Sequence, residues 1–186
     1  MTSEAINPKT RNLILYGMCA AITCVLAPIS VPLPGDVPLS LCTFAVMLSA
    51  VLLGAKGGAI SQLIYVLLGC VGLPVFAGYK GGLGVVLGVT GGYIIGYIPM
   101  AFVIGLLCDK FARSRSGASK IAVMIASMIA GTAVLYTIGT AWFIAQTHMT
   151  LGAAMAACVL PFLPLDLVKI VAVALVEPPI EAALNR

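Results

Sequence analysis

Charge is what this chain has least of: Asp, Glu, Lys and Arg make up 9% of its 186 residues. A soluble domain carries roughly 25%, so a free-standing globular fold is excluded. There is one histidine, and the six cysteines stand singly, with no C-x-x-C and no His at ligand spacing. That leaves neither a metal site nor a disulfide framework to read; in apolar helices such cysteines act as small hydrophobes. His148, in "QTHM", reads as a solvated loop residue. No G-x-x-x-x-G-K-[ST] occurs, and the glycine-dense stretch around Gly82, Gly84 and Gly88 does not match G-x-G-x-x-G. ATP hydrolysis by a P-loop is therefore excluded. The basic residues lie on no common folded face, which argues against nucleic acid as a partner.

What is abundant is apolar sequence: 61% of the residues are hydrophobic and the mean hydropathy is +1.15. At about 20 residues per span, the chain has room for about five to seven membrane helices and no soluble domain besides. Six are expected, at 12–29, 40–54, 58–72, 85–108, 120–144 and one in 152–184, forming a single all-α membrane domain over 1–186. The prolines of "ISVPLPGDVPLS" make 28–39 a loop, "AKGG" is a tight turn, and 72–84 and 145–151 are linkers. With an intracellular N-terminus, eight of the ten Lys and Arg residues fall on the inner side. This is the bias of cytoplasmic loops, and it puts both termini in the cytoplasm of a multi-pass plasma-membrane protein. Lys9 and Arg11 precede the first run, but it is long for a signal peptide and is read as a retained helix.

"LPLDLVKIVAVALV" sets Asp166 and Lys169 into an apolar run. Intramembrane charges are costly and mark functional sites by default. Pro164 suits a first helical turn, so the last helix is expected to begin there, with 152–160 a separate short helix or re-entrant piece. Asp166 then gains from the helix dipole, and Lys169 at i+3 shares its face. The pair lies toward the external end. It is either a self-satisfied bridge or an acceptor and donor presented to a hydrated cavity. The second reading is preferred, and under it Lys169→Met folds nearly as well as wild type. Gly88, Gly92 and Gly96, spaced by four, read as a helix-packing stripe. Tyr93 is placed at the depth of Asp166, and Tyr97 is assigned to packing. Gly17 with Ala21, and Ala20 with Cys24, give the first helix a small-residue face for a neighbouring helix or a partner.

"GLPVFAGYKGGLGVVLGVTGGYIIGY" together with "PLDLVK" resembles the BioY family, the biotin-specific S components of energy-coupling-factor transporters. The resemblance runs over nearly the whole chain. It implies a non-enzymatic, membrane-embedded biotin-capture protein without cofactor or metal. It also implies partners: an EcfT-type membrane coupling subunit with two cytoplasmic ATPases, besides lipid and biotin. Some family members act alone. Candidate substrate contacts are Asp166 to ureido N–H, Lys169 to a ligand oxygen, Phe76 and Tyr93 to the ring system, and Lys80 to the valerate carboxylate; Tyr79 in the same loop completes the set. Two positions depart from the family pattern: Val89 stands where proline is usual, and Cys42 where a polar Gln is expected. The alternative is a small intramembrane enzyme or proton-linked carrier using Asp166. It lacks a partner group, because Glu4, Asp36, Asp109, Glu177 and Glu181 are placed in tails, loops or the inner end of the last helix.

Overall fold

The computed structural model describes residues 7–31 and 37–184. Helix α1 spans Pro8–Leu26. It starts earlier than its apolar pattern suggests because Asn7 caps it, the side chain accepting from Lys9 N at 3.0 Å, and Pro8 suits the first position. Lys9 and Arg11 therefore sit in the first turn rather than before the helix. A two-stranded antiparallel ladder follows, β1 Ser30–Val31 on β2 Leu39–Ser40. Residues 32–36, the middle of the expected proline-rich loop, lie outside the described residues.

Helix α2 covers Cys42–Cys70 but is broken at Gly54 (φ 72°, ψ −172°) into 42–53 and 55–70. The expected pair of helices is present; the "AKGG" turn is not. One glycine in a conformation closed to other residues reverses the chain, so residues 55–58 are already helical. The next elements are a short α3, Leu83–Val86, and α4, Gly91–Leu107, extended by a π-helical turn, Cys108–Ala112. The expected helix over 85–108 is thus interrupted at 87–90. Gly88 lies in that break instead of on the α4 stripe, and its carbonyl accepts from Trp142 Nε1 at 2.9 Å. Helix α5 is Gly117–Thr147, closed by His148 in the left-handed region. Then come α6, Leu151–Cys158, and α7, Leu163–Leu184, bent by 47° where they meet.

Helices α2, α4 with its π turn, and α5 are each long and apolar enough to cross a membrane, and the bent α6–α7 pair qualifies as a fourth span. Helix α4 packs between α2 and α5 through small residues. A Cβ on Gly92 would stand 2.2 Å from Trp142 Cβ, and one on Gly96 2.9 Å from Leu135. At the other end of α4, a Cβ on Gly105 would stand 2.3 Å from Ala55 N and Gly54 C. This junction is locked from the π turn. Asp109 Oδ2 accepts from Ala55 N at 2.9 Å and caps the second half of α2, while Arg113 holds Oδ1 at 2.8 Å. Backbone cannot yield as a side chain can. Gly105→Ala is therefore expected to lower stability by about 2 kcal/mol or more, seen as a lower thermal midpoint in detergent; an unchanged midpoint would contradict this packing.

Candidate functional site

Pro164 is the second residue of α7, and Asp166 follows in the first turn, its N–H donating to Phe162 O at 2.8 Å. The start of α2 is brought against it from the opposite side. Ser40 organises that start: its hydroxyl donates to Ala27 O at 2.7 Å and accepts from Cys42 N at 2.9 Å, tying the end of α1 to α2.

Across this joint Lys169 Nζ donates to Ser40 O, Thr43 Oγ1 and Asp166 Oδ1, each at 2.8 Å. An ammonium has three N–H groups, and all three are engaged. Thr43 completes a ring by donating to Asp166 Oδ1 at 3.0 Å. The other carboxylate oxygen, Oδ2, accepts from Tyr136 OH of α5 at 2.6 Å. Asp166 is 3% exposed and Lys169 7%, so their bonds are made away from bulk water, where charge-assisted hydrogen bonds are strong. The pair is both a clamp joining α2, α5 and α7 and part of a cavity wall. Lys169, expected to serve a ligand, thus lines the cavity with all three of its N–H groups already held by protein acceptors.

The cavity has a volume of about 770 Å³ counting its mouth and the open space before it. Asp166, Lys169, Tyr93, Phe76 and Lys80 all line it. Tyr93 OH meets Thr140 Oγ1 at 3.2 Å and donates to Cys158 O at 3.4 Å. Phe76 is buried edge-on to Tyr65, with centroids 5.7 Å apart. It also fills the space left by Gly69, where a Cβ would overlap its ring. Phe76 N donates to Lys80 O at 2.9 Å, which closes the 76–80 turn and sets exposed Lys80 at the wall. Tyr79, at the tip of that turn (φ 59°), is 70% exposed and is not a lining residue. The turn that presents Lys80 inward carries Tyr79 out.

Sequence reasoning missed Thr43, Tyr65, Tyr136 and the lining role of Tyr97. A lone tyrosine in the apolar run of α5 was the available signal for Tyr136. Cys42, one of the two departures, is buried in the lining, whereas Val89 falls in the α3–α4 break. At the opposite end of α5 and α7, Lys120 Nζ bonds Glu177 Oε1 at 3.2 Å and Glu181 Oε2, so these acids are paired with a lysine that does not line the cavity.

A bundle of long apolar helices around a cavity whose mainly apolar wall carries a carboxylate and an ammonium defines a helical membrane protein with an internal pocket. The family model described as "BioY family" matches residues 1–186, and the chain belongs to that family. It is 43% identical over 166 residues to the biotin transporter BioY of Thermotoga maritima, covering 89% of this chain and 93% of the relative. It is 36% identical over 176 residues to the biotin transporter BioY of Rhodobacter capsulatus, covering 89% and 90%. A crystal structure of the S-component for biotin from an ECF-type ABC transporter superposes with a TM-score of 0.85 at 25% identity, covering 97% of this chain and 95% of that one.

Proposed function

We propose that this chain captures biotin in the cavity around Asp166 and serves biotin uptake as the substrate-specific component of an ECF-type transporter. The observation that carries the reading is the enclosed cavity with a bonded carboxylate in its wall, in a member of a family whose named relatives transport biotin. Biotin offers two ureido N–H donors, a bicyclic ring and a carboxylate. Asp166 Oδ2 accepts a ureido N–H; a charged acceptor makes this a strong bond. Tyr93 and Phe76 pack the ring, and Lys80 at the wall meets the valerate. Lys169 holds Asp166 oriented, and it reaches a ligand oxygen only by releasing Ser40 O or Thr43. Tyr79 takes part only through the loop it belongs to. No cofactor is needed for capture. The enzymatic alternative falls with the family assignment.

Concentrative transport needs energy this chain has no P-loop to harvest, which supports a coupling subunit of EcfT type and two cytoplasmic ATPases as partners. The chain works as one domain over 1–186, a multi-pass protein of the bacterial plasma membrane. Taking α1 and the two halves of α2 as three spans beside α4, α5 and the bent α6–α7 pair makes six, and an even number starting inside leaves both termini in the cytoplasm. The contacts of Asp109 with Ala55 and of Lys120 with Glu177 support this, gathering Lys56, Lys110, Arg113, Arg115 and Lys120 at the end away from the cavity. A reporter fused after Arg186 is expected to read cytoplasmic and one within 145–151 external; the reverse result for either removes the six-span arrangement. For function, the chain is expressed in a biotin-requiring host lacking its own transporter, with its coupling module supplied. Growth on trace biotin and accumulation of labelled biotin are expected. No accumulation by protein that is folded and in the membrane would overturn the proposal.

A further inference from the structure

A second crevice lies between α5 and α7. It has a volume of about 410 Å³ counting open space and is bounded by Ile129, Thr132, Ala133, Leu163, Leu167 and Ile170. Ile129, Leu163 and Leu167 are 42–55% exposed on the outer surface of the bundle, which in a bilayer meets acyl chains. Tyr136 and Asp166 line this crevice and also line the biotin cavity. The wall between a charged site and hydrocarbon is thus one layer of side chains. Its two members are joined by the 2.6 Å hydrogen bond from Tyr136 OH to Asp166 Oδ2.

The two carboxylate oxygens are not equivalent. Oδ1 accepts from both Thr43 and Lys169; among the described residues Oδ2 receives Tyr136 alone. Each carboxylate oxygen accepts about two hydrogen bonds. Oδ2 is therefore the oxygen with accepting capacity left for a ligand N–H, and Tyr136 fixes its orientation. From this we infer that Tyr136 is a positioning residue for ligand capture with two separable tasks: its hydroxyl holds Asp166 Oδ2 in place for the ligand donor, and its ring seals the cavity against lipid acyl chains. The inference rests on the biotin reading of the cavity.

Tyr136→Phe keeps the ring and removes the hydroxyl; Tyr136→Ala removes both. Each is purified, checked by circular dichroism to be folded, and reconstituted in nanodiscs containing a phosphatidylcholine with a diazirine on its acyl chain. Biotin affinity is measured, and photolabelled residues are mapped by mass spectrometry. The Phe variant is expected to bind biotin about tenfold more weakly, with lipid labelling confined, as in wild type, to crevice residues such as Leu167. The Ala variant is expected to bind more weakly still, with labelling that reaches a cavity residue such as Tyr97. Should the Ala variant unfold, Tyr136→Leu replaces it, a smaller apolar side chain with the same expected labelling. Wild-type affinity in the Phe variant overturns the positioning task, and labelling that stays in the crevice when the ring is gone overturns the seal. A wild-type chain that binds no biotin removes the ligand reading itself, which is a different failure from a binding wild type with an indifferent Tyr136.

Discussion

Lys169→Met is expected to lose both biotin binding and much of the protein's stability. The substitution takes one donor from each of Ser40 O, Thr43 Oγ1 and Asp166 Oδ1. It also leaves the Asp166 carboxylate, 3% exposed, without its counter-charge. Breaking a buried pair by removing one member costs about 3–5 kcal/mol. For a chain of this size that lowers the thermal midpoint by roughly 10 °C. Replacing both residues, Asp166→Leu with Lys169→Met, removes the stranded charge and should recover part of the loss, while binding stays absent. The comparison is made by thermal unfolding of the three proteins in one detergent. A single variant as stable as wild type would mean that water, not Lys169, satisfies Asp166.

Asp166→Asn separates the two tasks of the pair in the opposite way. The amide oxygen can still accept from Lys169 and Thr43, and the amide nitrogen can donate to Tyr136, whose hydroxyl is able to turn and accept. Most of the clamp therefore survives. The oxygen left for the ligand is replaced by a donor, which meets a ureido N–H donor to donor. Biotin affinity is expected to fall by about 2 kcal/mol or more, with a smaller loss of midpoint than Lys169→Met. Equal affinity in a folded Asn variant would place the ligand contact on some other residue.

How much of this was legible in the sequence depends on how local the signal is. Pro164 and Asp166 announce the first turn of α7 by chemistry within three residues, and the separate α6 follows from the same prolines. The break of α2 was visible as a glycine-rich turn, yet not its form, because a single positive-φ residue does the work of a four-residue linker. The interruption at 87–90 was hidden, since its carbonyls at Leu87 and Gly88 are held by Gln146 and Trp142, more than fifty residues onward. The site divides in the same way. Asp166 and Lys169 stand out as charges in an apolar run. Thr43, 123 residues from Asp166, and Tyr136, 30 residues from it, are ordinary helix residues until folding brings them to the carboxylate. At Lys169, i to i+3 spacing reveals Asp166 but not Ser40 O or Thr43, which take its other two N–H groups.

The central claim, that the cavity bounded by Asp166, Tyr93 and Phe76 is a biotin site, is tested most directly by calorimetric titration of the purified wild-type chain with biotin. The account predicts saturable binding at one biotin per chain, strongly weakened in Asp166→Asn under the same conditions. A folded wild-type protein that takes up no biotin, or one whose binding is indifferent to Asp166→Asn, would contradict it.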